Sequence, residues 1–307
     1  MPYSFKPHHA LSRDMRAIVD RQLSLALLRL QSVGTPSSDD AVHEARRHLK
    51  KILALLRLLK PALGGEQTRA LARIRTASRL LAPIADAEAL VDTSHVLGPG
   101  RRPRLGHSTV SVMRAGLLER EAAMGRTAVL NNVLPKVVRI LAAEQKRAAA
   151  WRPRSNGFQT LVPGLKRSMR RARRCMRHAS MTLGADAFHV WRRRVKDLWL
   201  QVRLLQARCG TALNVTERQL EQLDGLLGQH HNLALLERVL LDEPLLSRRA
   251  TAQSLRVVRA RRAALGRRAL VLGGRALVRK PRAFVRHIAD HWTAMVRVKA
   301  PSGRTSR

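Results

Sequence analysis

The sequence contains few aromatic residues, few acids and almost no cysteine. Only nine of its 307 residues are Phe, Trp or Tyr, too few for the base-stacking platforms that bind single-stranded nucleic acid. The two cysteines, Cys175 and Cys209, do not have metal-ligand spacing, and we expect reduced thiols in a cytoplasmic protein. No apolar run approaches the roughly 18 residues that a membrane-spanning helix needs, and the N-terminus has no signal-peptide pattern.

Basic residues far outnumber acidic ones. Lys and Arg number 59 against 21 Asp and Glu, which gives a formal net charge of +38. Such a charge repels itself unless a partner or bound anions neutralise it. All but ten of the cations are arginines, whose planar guanidinium groups fit phosphate bidentately. A GC-rich genome would explain the preference for Arg over Lys, but not the net charge. The balance predicts a polyanionic partner and leaves a peripheral role on anionic lipid open.

The sequence pattern predicts an all-α protein. Ala, Leu and Arg dominate, and apolar residues recur at i, i+3, i+4 and i+7. Breaks containing Gly or Pro, among them residues 34–36, 64–65, 98–100 and 273–274, separate the periodic stretches. The expected boundaries are a mobile N-terminal tail over 1–11, a first helical half over 12–151, a second over 152–298 and a basic tail over 299–307. The predicted helices cover roughly 12–32, 39–61, 66–93, 108–129, 133–150, 158–182, 185–208, 214–241, 246–273 and 282–298.

The second half of the chain repeats the first at a constant offset. The segment VHEARRHLK (42–50) aligns without a gap with FHVWRRRVK (188–196), so the two histidines are 189 − 43 = 146 residues apart. Further pairs share that offset: Arg57 with Arg203, Gly64 with Gly210, Leu80 with Leu226 and Pro135 with Pro281. One ungapped offset over such a length indicates an internal duplication. We therefore expect two pseudo-symmetric, four-helix-bundle-like halves around a basic central groove.

Each half places a row of cations on one helix face. At about 100° per residue, positions +3, +7 and +14 from each histidine fall within a stripe about 60° wide. A charge run on a helix is ordinarily a solvated face, but Glu44 and Asp197 are the only carboxylates nearby. If the halves pack about a dyad, the stripes can face each other and hold a linear phosphate polymer between them. The candidate phosphate-binding residues are His43, Arg46, Lys50 and Arg57, then His189, Arg192, Lys196 and Arg203, with Arg47 and Arg193 beside them.

These residues resemble the CHAD family, the conserved-histidine α-helical domains. The family pattern of an apolar residue, His, two spacers, Arg, three spacers and a basic residue is similar to residues 42–50 and 188–196. A later Leu/Gly segment of the family is similar to residues 80–86 and 226–232, although Ala85 and Asn232 depart from it. The resemblance implies two four-helix bundles, a basic cavity and binding of inorganic polyphosphate, often at polyphosphate granules. Lys51, Arg75, Arg79 and His231 are further candidates for the cavity.

No pattern in the sequence predicts an enzyme. There is no GxxxxGK[ST] loop, GxSxG elbow or ExExK signature, and the acids are too scattered to gather a catalytic metal. The adjacent His230 and His231 point about 100° apart, so core or surface placement is favoured over a chelate. We therefore predict no catalytic residue, cofactor or metal ligand. Two alternatives to polyphosphate binding remain: non-sequence-specific nucleic-acid binding, and an adaptor for a separate polyphosphate or triphosphate enzyme.

Overall fold

The protein is described by a computed structural model that covers residues 3–33, 40–97, 105–153 and 155–298. Every regular element in these ranges is helical, which confirms the all-α prediction. The predicted breaks at 34–36 and 98–100 and the predicted tail over 299–307 lie outside the described residues. The α-helices are α1 (Leu11–Gln31), α2 (Ala41–Leu58), α3 (Lys60–Leu80), α4 (Ala82–Val96), α5 (His107–Leu130), α6 (Val133–Ala148), α7 (Val162–Thr182), α8 (Ala185–Cys209), α9 (Asn214–Asp242), α10 (Arg248–Ala276) and α11 (Pro281–Val298).

The two halves share the packing of their first helix on their second and last helices. In the first half α1 packs on α2 and α6, and in the second half α7 packs on α8 and α11. Gly64, a non-helical residue within α3, and Gly210, the residue that follows α8, are 146 residues apart and both adopt a positive φ (62° and 60°). A residue with a Cβ is disfavoured in that conformation, so glycine is required at both turns. Descent of the halves from one duplicated unit stays a prediction.

The halves differ where one long helix was predicted over 66–93. The chain instead ends α3 at Leu80 and begins α4 at Ala82. Pro83, the second residue of α4, has no N–H to continue the hydrogen-bond ladder, which is why a new helix starts there. The position 146 residues later is Gln229, and α9 runs through it without interruption from Asn214 to Asp242.

The N-terminal segment is packed into the core, so the prediction of a mobile tail does not hold for the described part of it. The side chain of Phe5 is fully buried, and its N–H donates to the carbonyl of Leu204 at 2.8 Å. The hydroxyl of Tyr3 donates to the carbonyl of Lys51 at 2.8 Å. Burial of these aromatic side chains and their hydrogen bonds offset part of the entropy lost by ordering the segment. Residues 3–10 therefore join α2 of the first half to α8 of the second.

Two apolar cores hold the halves together. The larger core includes buried side chains from both halves, among them those of α2 and α8. These two helices meet where the Gln201 amide donates a hydrogen bond to the Ala54 carbonyl at 3.1 Å. The smaller core lies between α4, α5, α9 and α10, with Leu90 and Met113 from the first half and Leu236 and Val258 from the second. Together the cores fix α2, α4, α8 and α9 around one junction, where the candidate residues lie.

Both cysteines are unbridged, as predicted. Cys175 is half-buried and Cys209 is buried. Burial raises the pKa of the Cys209 thiol to about 12, so this thiol stays protonated and unreactive at neutral pH. Among the described helices, none combines the length and the apolar character needed to cross a membrane.

Candidate anion-binding site

The apolar faces of α2 and α8 are buried in the core. Their basic side chains therefore point toward the region where the two halves meet. On α2 the residues Ala45, Leu49 and Ile52 are fully buried, and on α8 Trp191 and Val195 are. Side chains one position away on each helix are rotated by about 100° and leave the core. The residues gathered there, called the central cluster below, are Arg46, Lys50, His189, Arg192, Lys196 and His231.

Lys50 lies at the centre of this cluster, surrounded by cations from both halves. Burial, followed by the positive charges of Arg192, Arg46 and Lys196, lowers the pKa of its ammonium group to about 7. Only Asp224 opposes that effect among the groups acting on it. Lys50 makes no hydrogen bond or ion pair with the residues that the structure describes. Its charge is therefore opposed only from a distance, by Asp224.

Two of the other cations have acidic partners that come from distant parts of the chain. Arg46 donates to Asp86 of α4 at 3.0 Å, and Lys196 donates to Asp224 of α9 at 2.7 Å. Neither acid lies close to α2 or α8 in the sequence. The fold therefore brings more carboxylates to these cations than the sequence alone indicated. The two pairs orient Arg46 and Lys196. They do not neutralise the central cluster, because Lys50 and Arg192 have no ion pair with the described residues.

Arg192 is the second cation with unused donor capacity. Burial lowers the pKa of its guanidinium, with Asp224 acting in the opposite direction and Arg46 adding to the decrease. Its Nε atom is buried without a hydrogen-bond partner in the described structure, and so is the Nε atom of Arg46. A buried donor without an acceptor is costly, and a bound anion would satisfy both.

The histidines of the site are held neutral. His189 and His231 face each other with their Nδ1 atoms 3.0 Å apart, so one ring carries the proton and the other accepts it. Burial, followed by the charge of Arg192, lowers the pKa of both, and that of His231 falls to about 3. His43 is half-buried at the start of α2, and burial together with Lys50 lowers its pKa as well. His231, a further candidate from the sequence, thus lies in the cluster.

The adjacent His230 is a core residue. It stacks on Phe188 with ring centroids 4.3 Å apart, and burial lowers its pKa to about 4. The sequence favoured core or surface placement for it over chelation. In the described ranges there is no group of three or more His, Cys, Asp or Glu side chains that could hold a metal ion.

A second basic site, called the arginine pocket, opens between α2, α3, α7 and α8. Its volume is about 190 Å³, and no aromatic side chain lines it. Asp197 is its only acid, and it pairs with Arg57 at 2.5 Å and Arg194 at 3.6 Å. The remaining five cations make no hydrogen bond or ion pair with described residues. The pocket is lined by Arg57, Lys60, Leu71, Arg75, Arg167, Ser168, Arg171, Arg193, Arg194 and Asp197.

The opposite end of the α2–α8 pair has a different set of neighbours. Arg203, the counterpart of Arg57, lies over the Trp199 ring at 5.2 Å and 3.8 Å from Glu217. Glu217 and Glu221 stand at the positions 146 residues after Leu71 and Arg75, so acids replace part of the pocket lining. The structure therefore brings Arg46, Lys50, Arg192 and Lys196 together but separates Arg57 from Arg203.

Three of the remaining candidates lie away from both sites. Arg47 is exposed and pairs with Glu44 of its own helix. Arg79 is exposed and donates to the Thr76 hydroxyl at 3.3 Å. Lys51 lies over the Tyr3 ring at 5.7 Å, and burial lowers its pKa.

Several residues of these sites were not identified from the sequence. Asp224 was missed because nothing in the pattern of α8 indicates which residue of α9 meets Lys196. Lys60, Arg167, Arg171 and Arg194 were missed because they lie outside the repeated positions of the two stripes. The one available signal was the i, i+4 spacing of Arg167 and Arg171 in a stretch without acids.

The fold and the two basic sites define an all-helical protein of two bundle-like halves that gathers cations where the halves meet. The CHAD domain family matches residues 17–241, well over half of the chain. The chain therefore belongs to the CHAD family.

Solved structures agree with this assignment at the level of the fold. The crystal structure of the CHAD domain from the plant Ricinus communis is similar with a TM-score of 0.58 and 16% identity, over 95% of this chain and 94% of that chain. At this identity the likeness concerns the fold alone. No curated protein matches the sequence.

Proposed function

We propose that the protein binds inorganic polyphosphate in the central cluster and the arginine pocket, without catalysing a reaction on it. The observation that carries the proposal is Lys50, a half-buried cation that three other cations surround and that forms no ion pair with the described residues. The CHAD family is associated with polyphosphate binding. A phosphate polymer supplies a negative charge at every unit, which is the ligand that such a row of cations lacks.

The two sites suit one linear chain. Lys50 and Arg57 are separated by seven residues of α2, a rise of about 10 Å, so a run of several phosphates of one chain can reach both sites. Arg192 and Arg193, which follow each other on α8, point one into each site. The absence of aromatic residues from the pocket lining favours a phosphate polymer over a nucleotide or a single-stranded nucleic acid, whose bases would be left unstacked.

The proposal is tested by competition binding at raised salt. Labelled long-chain polyphosphate is challenged with charge-matched single-stranded and duplex DNA. We expect polyphosphate to resist displacement by either. Equal competition by DNA would instead support the alternative, binding of nucleic acid without sequence preference. An unchanged length distribution of the polymer after incubation with Mg²⁺ checks that the protein does not cleave it.

Binding is expected to tighten as the pH falls. In the free protein the pKa of Lys50 is lowered to about 7, and a bound phosphate would raise it. Binding then takes up a proton, so affinity rises as the pH falls through the raised pKa and levels off below about 7. The gain is at most about tenfold per pH unit for one proton. Calorimetry at pH 8.5 in two buffers of different ionisation enthalpy measures the uptake. The variant Lys50→Arg stays charged and should lose that uptake; the same uptake in this variant would refute the assignment.

Removing the acid of the arginine pocket is expected to strengthen binding. In Asp197→Asn the guanidinium groups of Arg57 and Arg194 lose their anionic partner and become available to phosphate. We expect affinity to rise about three- to tenfold, which corresponds to about 1 kcal/mol, with some loss of stability because Arg57 is half-buried. The matched variant Glu217→Gln removes one acid beside Arg203, outside the pocket. An equal gain in both variants would show that net charge alone decides.

We also propose that the protein acts in the cytoplasm, at polyphosphate granules. An adaptor role for a separate polyphosphate or triphosphate enzyme is the remaining alternative. Co-localisation of the tagged protein with stained granules tests the placement, and a diffuse distribution in cells that contain granules would contradict it.

A further inference from the structure

Two histidines lie one helical turn apart on α11. His287 and His291 flank the buried stripe of this helix, which consists of Phe284, Ile288 and Trp292. Positions i and i+4 share one helix face, and the two imidazole rings have their centroids 4.6 Å apart. Both histidines are half-buried, so part of each is in contact with solvent. Neither belongs to the central cluster or lines the arginine pocket.

Each ring is fixed through one of its nitrogens. Nδ1 of His291 donates to the carbonyl of His287 at 2.8 Å. A ring N–H of His287 donates to the carbonyl of Ala212, in the turn between α8 and α9. A neutral imidazole that donates one N–H keeps a lone pair on its other nitrogen. In the described part of the chain neither ring has a hydrogen-bond partner for that second nitrogen, so both lone pairs are available.

The charges around His287 permit a cation. Burial, followed by Arg279 and His291, lowers the pKa of His287, so a proton does not occupy its lone pair at neutral pH. Apart from His291, the charged groups that act on His287 are Arg279 and Asp290, which have opposite signs. Charges farther away than roughly 8 Å are largely screened at physiological ionic strength. The large net charge of the chain therefore has little effect at this position.

We infer that His287 and His291 form an open site for Zn²⁺, or for another divalent ion that prefers imidazole nitrogen. Zinc lies about 2.0–2.1 Å from an imidazole nitrogen, so two rings on one tetrahedral ion have centroids about 5 Å apart. The separation of 4.6 Å is close to that value. Metal-bound histidines donate their other ring N–H to a carbonyl or carboxylate, as both rings do here. Histidines at i and i+4 of one helix bind zinc in the HExxH motif.

Two protein ligands leave the remaining positions of the metal to water. This agrees with the described residues, which contain no larger group of metal ligands. The other close pair of histidines, His189 and His231, is less suited to a metal. Its two Nδ1 atoms face each other at 3.0 Å, and Arg192, Lys50 and Arg46 all act on His231 with positive charge.

Metal titration of the untagged full chain tests this inference. Zn²⁺ is titrated in competition with a chromophoric chelator, in buffer without phosphate or polyphosphate, since both bind the metal. We expect one zinc ion per chain. His287→Ala and His291→Ala should each weaken binding at least about tenfold, because losing a ligand costs no less than losing an outer partner. The control, His107→Ala with His178→Ala, removes two exposed histidines elsewhere and should bind zinc like the wild type.

Electron paramagnetic resonance of Cu²⁺ on the wild type gives a second readout that needs no variant. The first equivalent of copper is expected to show splitting from two imidazole nitrogens. Zinc binding by folded alanine variants that equals the wild type would overturn the inference, and so would an equal loss in the control. Displacement of zinc by equimolar Mg²⁺, which prefers oxygen ligands, or a copper spectrum without nitrogen splitting would do the same. Because no polyphosphate is present, the outcome is independent of the proposed function.

Discussion

Changing Arg46, Lys50, Arg192 and Lys196 together to Gln is expected to weaken binding of long-chain polyphosphate by about 100-fold or more. Each charge-assisted hydrogen bond to phosphate contributes about 1.5–3 kcal/mol, so removing even two of the four exceeds that factor. The dependence of log affinity on log salt should flatten by about one unit for each phosphate group that the variant no longer binds. Both quantities follow from titrations of labelled polymer at several salt concentrations.

The control for this variant removes the same charge elsewhere. Arg13, Arg29, Arg114 and Arg139 are exposed on the first half and, within the described residues, their side chains form no hydrogen bond or ion pair. Their replacement by Gln is expected to weaken binding less than about tenfold. Circular dichroism checks that both variants fold, because removing Arg46 and Lys196 leaves Asp86 and Asp224 without their partners. Similar losses of affinity in the two folded variants would mean that the central cluster is not the binding site.

The variant Gly164→Ala is expected to destabilise the protein by about 3 kcal/mol or more. At this position the start of α7 crosses the end of α2, and a Cβ on residue 164 would overlap the carbonyl group of Leu58. The obstacle is backbone, so no side-chain rotation relieves it and the two helices must move apart. That movement also opens the arginine pocket, since Arg57 and Arg167 approach it from these two helices. Thermal or denaturant unfolding measures the loss of stability.

A second glycine provides the comparison. Gly225 lies within α9, and a Cβ there would meet nothing within 4 Å. Gly225→Ala should leave stability unchanged or raise it by up to about 1 kcal/mol, because alanine favours the helix. If Gly164→Ala unfolds like Gly225→Ala, the close crossing of α7 and α2 is not present in solution.

Local rules explain why the helices could be predicted. The apolar period of α2 and α8 sets which side enters the core, and with it the direction of Arg46 and Arg192. The helix breaks at Gly64 and Gly210 could be predicted because glycine is the residue that commonly occupies such breaks. Both residues have a positive φ, which most other residues disfavour. The division between α3 and α4 was missed although Pro83 marks it, since proline is tolerated in the first turn of a helix but not in its interior.

The sequence by itself determined the helical class, the large net positive charge, and the two rows of candidate residues, because these depend on composition and on spacing along one helix. Only the tertiary structure decided which rows meet. It brought Asp86 and Asp224 from other helices to Arg46 and Lys196 and surrounded Lys50 with cations. It also placed Arg57 in the arginine pocket but its counterpart Arg203 beside Trp199 and Glu217. Those outcomes depend on contacts between residues far apart in the chain, and no periodicity within a helix encodes them.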